Sequence, residues 1–96
     1  MKECREFIIF GRVQGVGFRR FIKAKVDSIN AQEVLLSGHI RNLPNGSVRV
    51  VAQGSKQALE DLEKILRVGS IASDVREIQS ALLELNEALE NFEILK

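Results

Sequence analysis

The sequence predicts an α+β fold: a split βαβ sandwich with elements in the order βαββαβ, a mainly antiparallel sheet, and both helices on one face. Three observations predict it. An apolar run, Phe7-Ile8-Ile9-Phe10, leads through a glycine-rich turn into apolar residues at helical spacing. The turn Leu43-Pro44-Asn45-Gly46 joins two strand-like runs. A second helical stripe follows Ser55 and stops at Gly69.

Arg5 to Val13 reads as the first strand, and its apolar character on both faces places it centrally in a sheet. Phe18, Phe21, Ile22, Val26 and Ile29 follow at helical spacing with Arg20, Lys23 and Lys25 outside, and Asn30 suits the helix end. Val34 to Asn42 forms a second strand. In the connecting turn, Pro44 presets its own φ and Gly46 can take a positive one. Ser47 to Gln53 then alternates, with Val48, Val50 and Ala52 on one face, until Gly54 breaks the strand. Ser55 is an N-cap for a helix whose Ala58, Leu59, Leu62, Ile65 and Leu66 form an apolar stripe, and Gly69 suits its C-terminal cap. Val75 to Leu82 fits a fourth strand and Phe92 to Leu95 a short fifth one. Between them, Ser80 to Asn91 is made mostly of good helix formers and reads equally as strand or helix.

With 96 residues, 45% hydrophobic and 28% charged, the chain is expected to be a single globular domain spanning residues 1–96. A net charge of +1 gives no global attraction to nucleic acid or membrane. Cys4 is the one cysteine, so an internal disulfide and a thiolate zinc site are both excluded. The apolar run at Phe7 to Phe10 is too short for a signal peptide, which makes the cytoplasm the expected location.

The stretch Gly11-Arg12-Val13-Gln14-Gly15-Val16-Gly17-Phe18-Arg19 carries the chemistry. Glycines two apart let successive backbone N–H groups point inward, and the start of a helix adds partial positive charge. Arg19 supplies a permanently charged fork that matches two phosphate oxygens. The pattern is that of a phosphate site. It is not a Walker loop, because Arg19-Arg20 offers no metal-binding hydroxyl, and Arg20 stands where a dinucleotide fingerprint needs its third glycine. Taken alone, Arg12 and Arg20 read as solvent-facing, His39 as structural or solvated, and Cys4 as inert strand material.

This stretch resembles the phosphate-binding signature of the acylphosphatase family. Gly38-His39-Ile40-Arg41-Asn42, followed by Leu43-Pro44-Asn45-Gly46-Ser47-Val48, resembles the second signature of that family, and Val75, Ile78 and Phe92-Glu93-Ile94 resemble its C-terminal end. The resemblance implies a ferredoxin-like sandwich and hydrolysis of acyl phosphates to carboxylate and inorganic phosphate, with no metal or other cofactor. By motif, it makes Arg19 the phosphate-gripping arginine and Asn42 the residue that positions the attacking water. It makes Gln14, Gly15, Val16, Gly17 and Phe18 the cradle whose amides complete the site. The partners implied are a small acyl phosphate and inorganic phosphate, with no nucleic acid and no membrane, and a monomer is expected in preference to an oligomer. This chain departs from the pattern in three places. The segment around Asp27 to Val34 is several residues longer than usual, His39 stands where tryptophan is frequent, and Asn45 replaces a frequent aspartate.

The longer segment before Asn42 motivates an alternative, a non-catalytic module that binds anions or acyl phosphates without productive placement of water. An RNA-binding sheet is a third reading, disfavoured by the absence of Trp and Tyr and by the expected burial of Phe7 and Phe10.

Overall fold

A computed structural model describes residues 1–96. The period-two and period-3.6 patterns resolve into β1 (Lys2–Arg12), α1 (Phe18–Ile29), β2 (Leu36–Asn42), β3 (Val48–Ser55), α2 (Lys56–Val68), β4 (Asp74–Leu83) and β5 (Phe92–Ile94). The strands form one sheet in the order β4-β1-β3-β2-β5. The β1–β3, β1–β4 and β2–β3 ladders are antiparallel, and β5 adds to β2 in parallel. The expected βαββαβ order and the short C-terminal strand are therefore both present.

The core lies between the sheet and the two helices. Phe7 and Ile9 of β1, Ile40 of β2 and Val48, Val50 and Ala52 of β3 pack against Phe18, Ile22 and Val26 of α1 and Leu59, Leu62 and Leu66 of α2. These are the residues that the two periodicities place on one sheet face and two helix stripes. The Ser55 hydroxyl accepts from Ala58 N–H at 3.1 Å, which caps α2, and Gly69 N–H donates to Ile65 O at 3.0 Å beyond its last turn.

The structure differs from the sequence expectations in three places. The second strand begins at Leu36, not at Val34. Asn30 Oδ1 accepts from the Leu35 and Leu36 N–H groups at 2.9 and 3.0 Å, and its Nδ2 donates to Leu36 O at 2.8 Å, while Val34 and Leu35 lie outside the sheet. Gly54 does not break β3 but pairs with Leu36 and Glu3 inside the sheet; a side chain there would lie 2.3 Å from the Leu35 carbonyl oxygen. Phe10 is only half-buried, because it points to the sheet face that carries no helix.

Ser80 to Asn91 holds no helix: it continues β4 to Leu83 and is then irregular. The distance to be covered explains why. Crossing from β4 to β5 spans four strand spacings, about 19 Å. Residues 84–91 would cover only about 12 Å as a helix but about 26 Å when extended. Gln53, on the helix-free face, holds this crossing in place. Its Nε2 donates to Asn86 O at 3.1 Å and its Oε1 accepts from Asn86 N–H at 2.8 Å. Asn91 O then accepts from Gly38 N–H at 2.8 Å, which delivers the chain to the β2 edge.

Candidate active site

Between β1 and α1 the chain makes two turns at positive φ, at Gly15 (φ 72°) and Gly17 (φ 76°). Other residue types are strained there, and a Cβ at either position would meet nothing within 4 Å, so both glycines border open space. Gly17 is also the N-cap of α1, and the first helical turn has neither a side-chain cap nor an acidic residue. Its N–H groups are thus available to an external acceptor, at the positive end of the helix dipole.

Arg19 projects from this first turn, and its Nη1 donates to the Leu95 carbonyl oxygen at 3.3 Å. One of the five guanidinium N–H groups is engaged there, and the others remain for a ligand. Asn42 ends β2, and its Oδ1 is buried without a hydrogen-bond partner.

Gly15, Gly17, Phe18, Arg19 and Asn42 line one cavity of about 580 Å³. Val13, Arg20, Ile94 and Lys96 complete its wall, so it carries three cationic side chains and no acidic side chain. A neighbouring concavity of about 610 Å³ between α1 and β5 is marginally larger. It includes Asp27 and Glu93, and its Lys23 is already paired with Asp27 at 2.6 Å. Charge therefore favours the first cavity for an anion, whatever their relative sizes.

The other two loop residues named from sequence, Gln14 and Val16, are not among those lining the cavity. The Val16 side chain packs on the core, and Gln14 donates to the Leu43 and Ser47 carbonyls. Phe18 lines the cavity while its ring is buried in the core. Arg20, read from sequence as a surface residue, forms part of the wall. Ile94 and Lys96 carried no local signal, because only the parallel docking of β5 on β2 brings them there.

His39 lies outside the cavity, on the helix-free face. Burial and the charges of Arg49 and Arg41 hold its pKa below the usual value, against a smaller opposing effect of Glu93, and its Nδ1 has no partner. Burial raises the pKa of the Cys4 thiol. No three His, Cys, Asp or Glu side chains gather where they could hold a metal ion.

Fold and site define a class: an α+β sandwich with a cationic, glycine-walled cavity at the mouth of a strand-to-helix turn. The chain belongs to the acylphosphatase family, whose sequence model matches residues 5–94. It is 55% identical over 96 residues, the whole of both chains, to an acylphosphatase of Helicobacter hepaticus. It is 39% identical over 94 residues to one of Vibrio cholerae, covering 98% of each chain. The crystal structure of acylphosphatase from Bacillus subtilis superposes with a TM-score of 0.86 at 32% identity, with all of both chains covered.

Proposed function

We propose that Arg19 and the backbone amides of the loop Gln14, Gly15, Val16, Gly17 and Phe18 bind the phosphoryl group of an acyl phosphate, and that Asn42 orients the attacking water. The overall reaction is that of the family: an acyl phosphate is hydrolysed to a carboxylate and inorganic phosphate. The observation that supports the assignment of roles is that Asn42, whose Oδ1 has no hydrogen-bond partner, lines the same cavity as Arg19.

The chemistry asks little more of a protein. An acyl phosphate is a mixed anhydride whose carboxylate leaves readily, so the task is to hold the phosphoryl group, stabilise its equatorial oxygens and place a water in line. The guanidinium and the helix N-terminus suit the first two tasks. A carboxamide oxygen accepts a hydrogen bond from water without being a strong base, which suits the third. The water oxygen bonds to phosphorus as the bond to the acyl oxygen breaks, and the water proton passes to a phosphate oxygen. No step calls on a metal or other cofactor.

The reading extends to a single domain over residues 1–96 that acts as a monomer in the cytoplasm, on a small substrate and without nucleic acid or membrane. The lone, buried Cys4 and the cationic lining of the cavity support it. No helix is long and apolar enough to cross a membrane. The longer segment between Arg19 and Asn42 gives little support to the non-catalytic alternative. It is taken up at the exit of α1, where Asn30 ties it down at the opposite end of the helix from Gly17.

Benzoyl phosphate hydrolysis by the wild type and by Asn42→Ala is the direct test. Turnover by the wild type that is lost in Asn42→Ala is the expected result. Equal turnover by the two would remove Asn42 from the mechanism, and phosphate binding by the wild type without turnover would favour the non-catalytic module.

A further inference from the structure

The Gln14 carboxamide does not line the cavity; it is bonded to the connection between β2 and β3. Its Nε2 donates to Leu43 O at 2.8 Å and to Ser47 O at 2.9 Å. A primary amide nitrogen carries two hydrogens, so both are engaged and neither remains for a phosphate oxygen. The pairing also fixes which way the amide faces, because two carbonyl oxygens accept a donor and repel Oε1.

The two acceptors close the β2–β3 hairpin. Leu43 N–H donates to Ser47 O at 2.8 Å, and Gly46 N–H donates to Leu43 O at 3.1 Å. Leu43 directly follows Asn42, which pairs with Val48 at the last rung of the β2–β3 ladder. On its other edge β2 pairs with β5 only from Gly38 to Ile40, so that ladder stops short of Asn42. The Gln14 side chain, 29 and 33 positions away in sequence, is thus what joins the phosphate loop to the hairpin that presents Asn42.

We infer that Gln14 is a positioning residue for the hydrolysis. It fixes the separation between the phosphoryl cradle and the Asn42 carboxamide, and with it the line along which water attacks. The inference rests on the water-orienting role proposed for Asn42. Its energetic logic is that of near-attack geometry, where a displacement of 1 Å costs roughly 10²-fold in rate.

Gln14→Leu keeps most of the side-chain volume and removes both donors. The expected result is a fall in kcat of roughly tenfold to a hundredfold, with the inhibition constant of inorganic phosphate little changed. Gln14→Glu separates positioning from general loss of structure. Its carboxylate faces two carbonyl oxygens near neutral pH, whereas the protonated acid can donate one hydrogen bond. Its kcat relative to wild type therefore rises as pH falls from about 7 to about 5. In an Asn42→Ala background, Gln14→Leu leaves the residual kcat almost unchanged, because both changes act through the same group.

A weakened phosphate affinity at unchanged kcat would assign Gln14 to phosphate binding and overturn the inference. Equal losses from Gln14→Leu in the presence and absence of Asn42 would overturn it too. If Asn42→Ala abolishes turnover while Gln14→Leu has wild-type kcat, the positioning role alone fails and the water-orienting role of Asn42 stands.

Discussion

Arg19 and Leu95 meet across 76 positions of sequence, where the guanidinium Nη1 donates to the carbonyl oxygen of Leu95 at 3.3 Å. The bond ties a side chain of the first helix to the backbone just beyond the final strand. That strand is short and is held by its pairing with β2 and by Phe92, which is 3% exposed in the core. Phe92→Ala should cost about 3–5 kcal/mol, as for other buried aromatic truncations. Because the Arg19 contact directly follows β5, phosphate affinity should weaken severalfold even at temperatures where circular dichroism shows the variant folded. Unchanged affinity in the folded variant would mean that Arg19 does not need this support.

Arg19 and Asn42 should separate in kinetics. Arg19→Ala removes the charged fork and should nearly abolish both phosphate binding and turnover. Losing one preorganised donor to a transition state typically costs on the order of 10²–10³ in rate. Asn42→Ala should lose turnover to a similar extent while inhibition by inorganic phosphate is largely retained. Steady-state kinetics with benzoyl phosphate, with phosphate as competitive inhibitor, measure both quantities.

An electrostatic conflict is built into the first turn of α1. Arg19 and Arg20 lie at the positive end of the helix dipole with no acidic residue in that turn. Each costs about 0.3–1 kcal/mol there unless an anion is bound. Arg20→Ala should therefore raise the Tm of the ligand-free protein by a few degrees. Phosphate should raise the Tm of the wild type, with about 2.7 kcal/mol of added stability at a hundred times its Kd. Thermal melts with and without phosphate read both effects, and Arg19→Ala should abolish the stabilisation by ligand.

His39 should make the protein less stable in mild acid. Burial, Arg49 and Arg41 hold its folded pKa below the usual 6.5, so the unfolded chain binds the proton more readily. Stability is then unaffected well above 6.5 and declines as pH falls from there towards the folded pKa. Urea melts between pH 7.5 and about 5 should show this slope, and His39→Gln should flatten it. The same slope in wild type and variant would assign the effect to other groups.

Much of the molecule was legible because its signals are local. Phe7 to Phe10, the stripe from Phe18 to Ile29, the Pro44-Asn45-Gly46 turn and the Ser55 cap each state a backbone preference within a few residues. The glycines at positions 15 and 17 and the arginine that follows likewise carry a local pattern suited to an anion. Ser80 to Asn91 stayed open between strand and helix for the converse reason: its helix propensity is worth only tenths of a kcal/mol per residue, and the need to span the sheet outweighs it.

By itself, the sequence determined the elements, their order and the motifs that bear chemistry, since periodicity, turn residues and charged side chains act over short stretches of chain. Tertiary structure alone decided that β5 lies parallel beside β2, that Ile94 and Lys96 wall the cavity, and that Arg19 reaches Leu95. It also decided that the Gln14 side chain turns to the hairpin. Each of these is a meeting between residues far apart in sequence, fixed by which edges and faces are left to pair once the core has closed, and no local pattern encodes it.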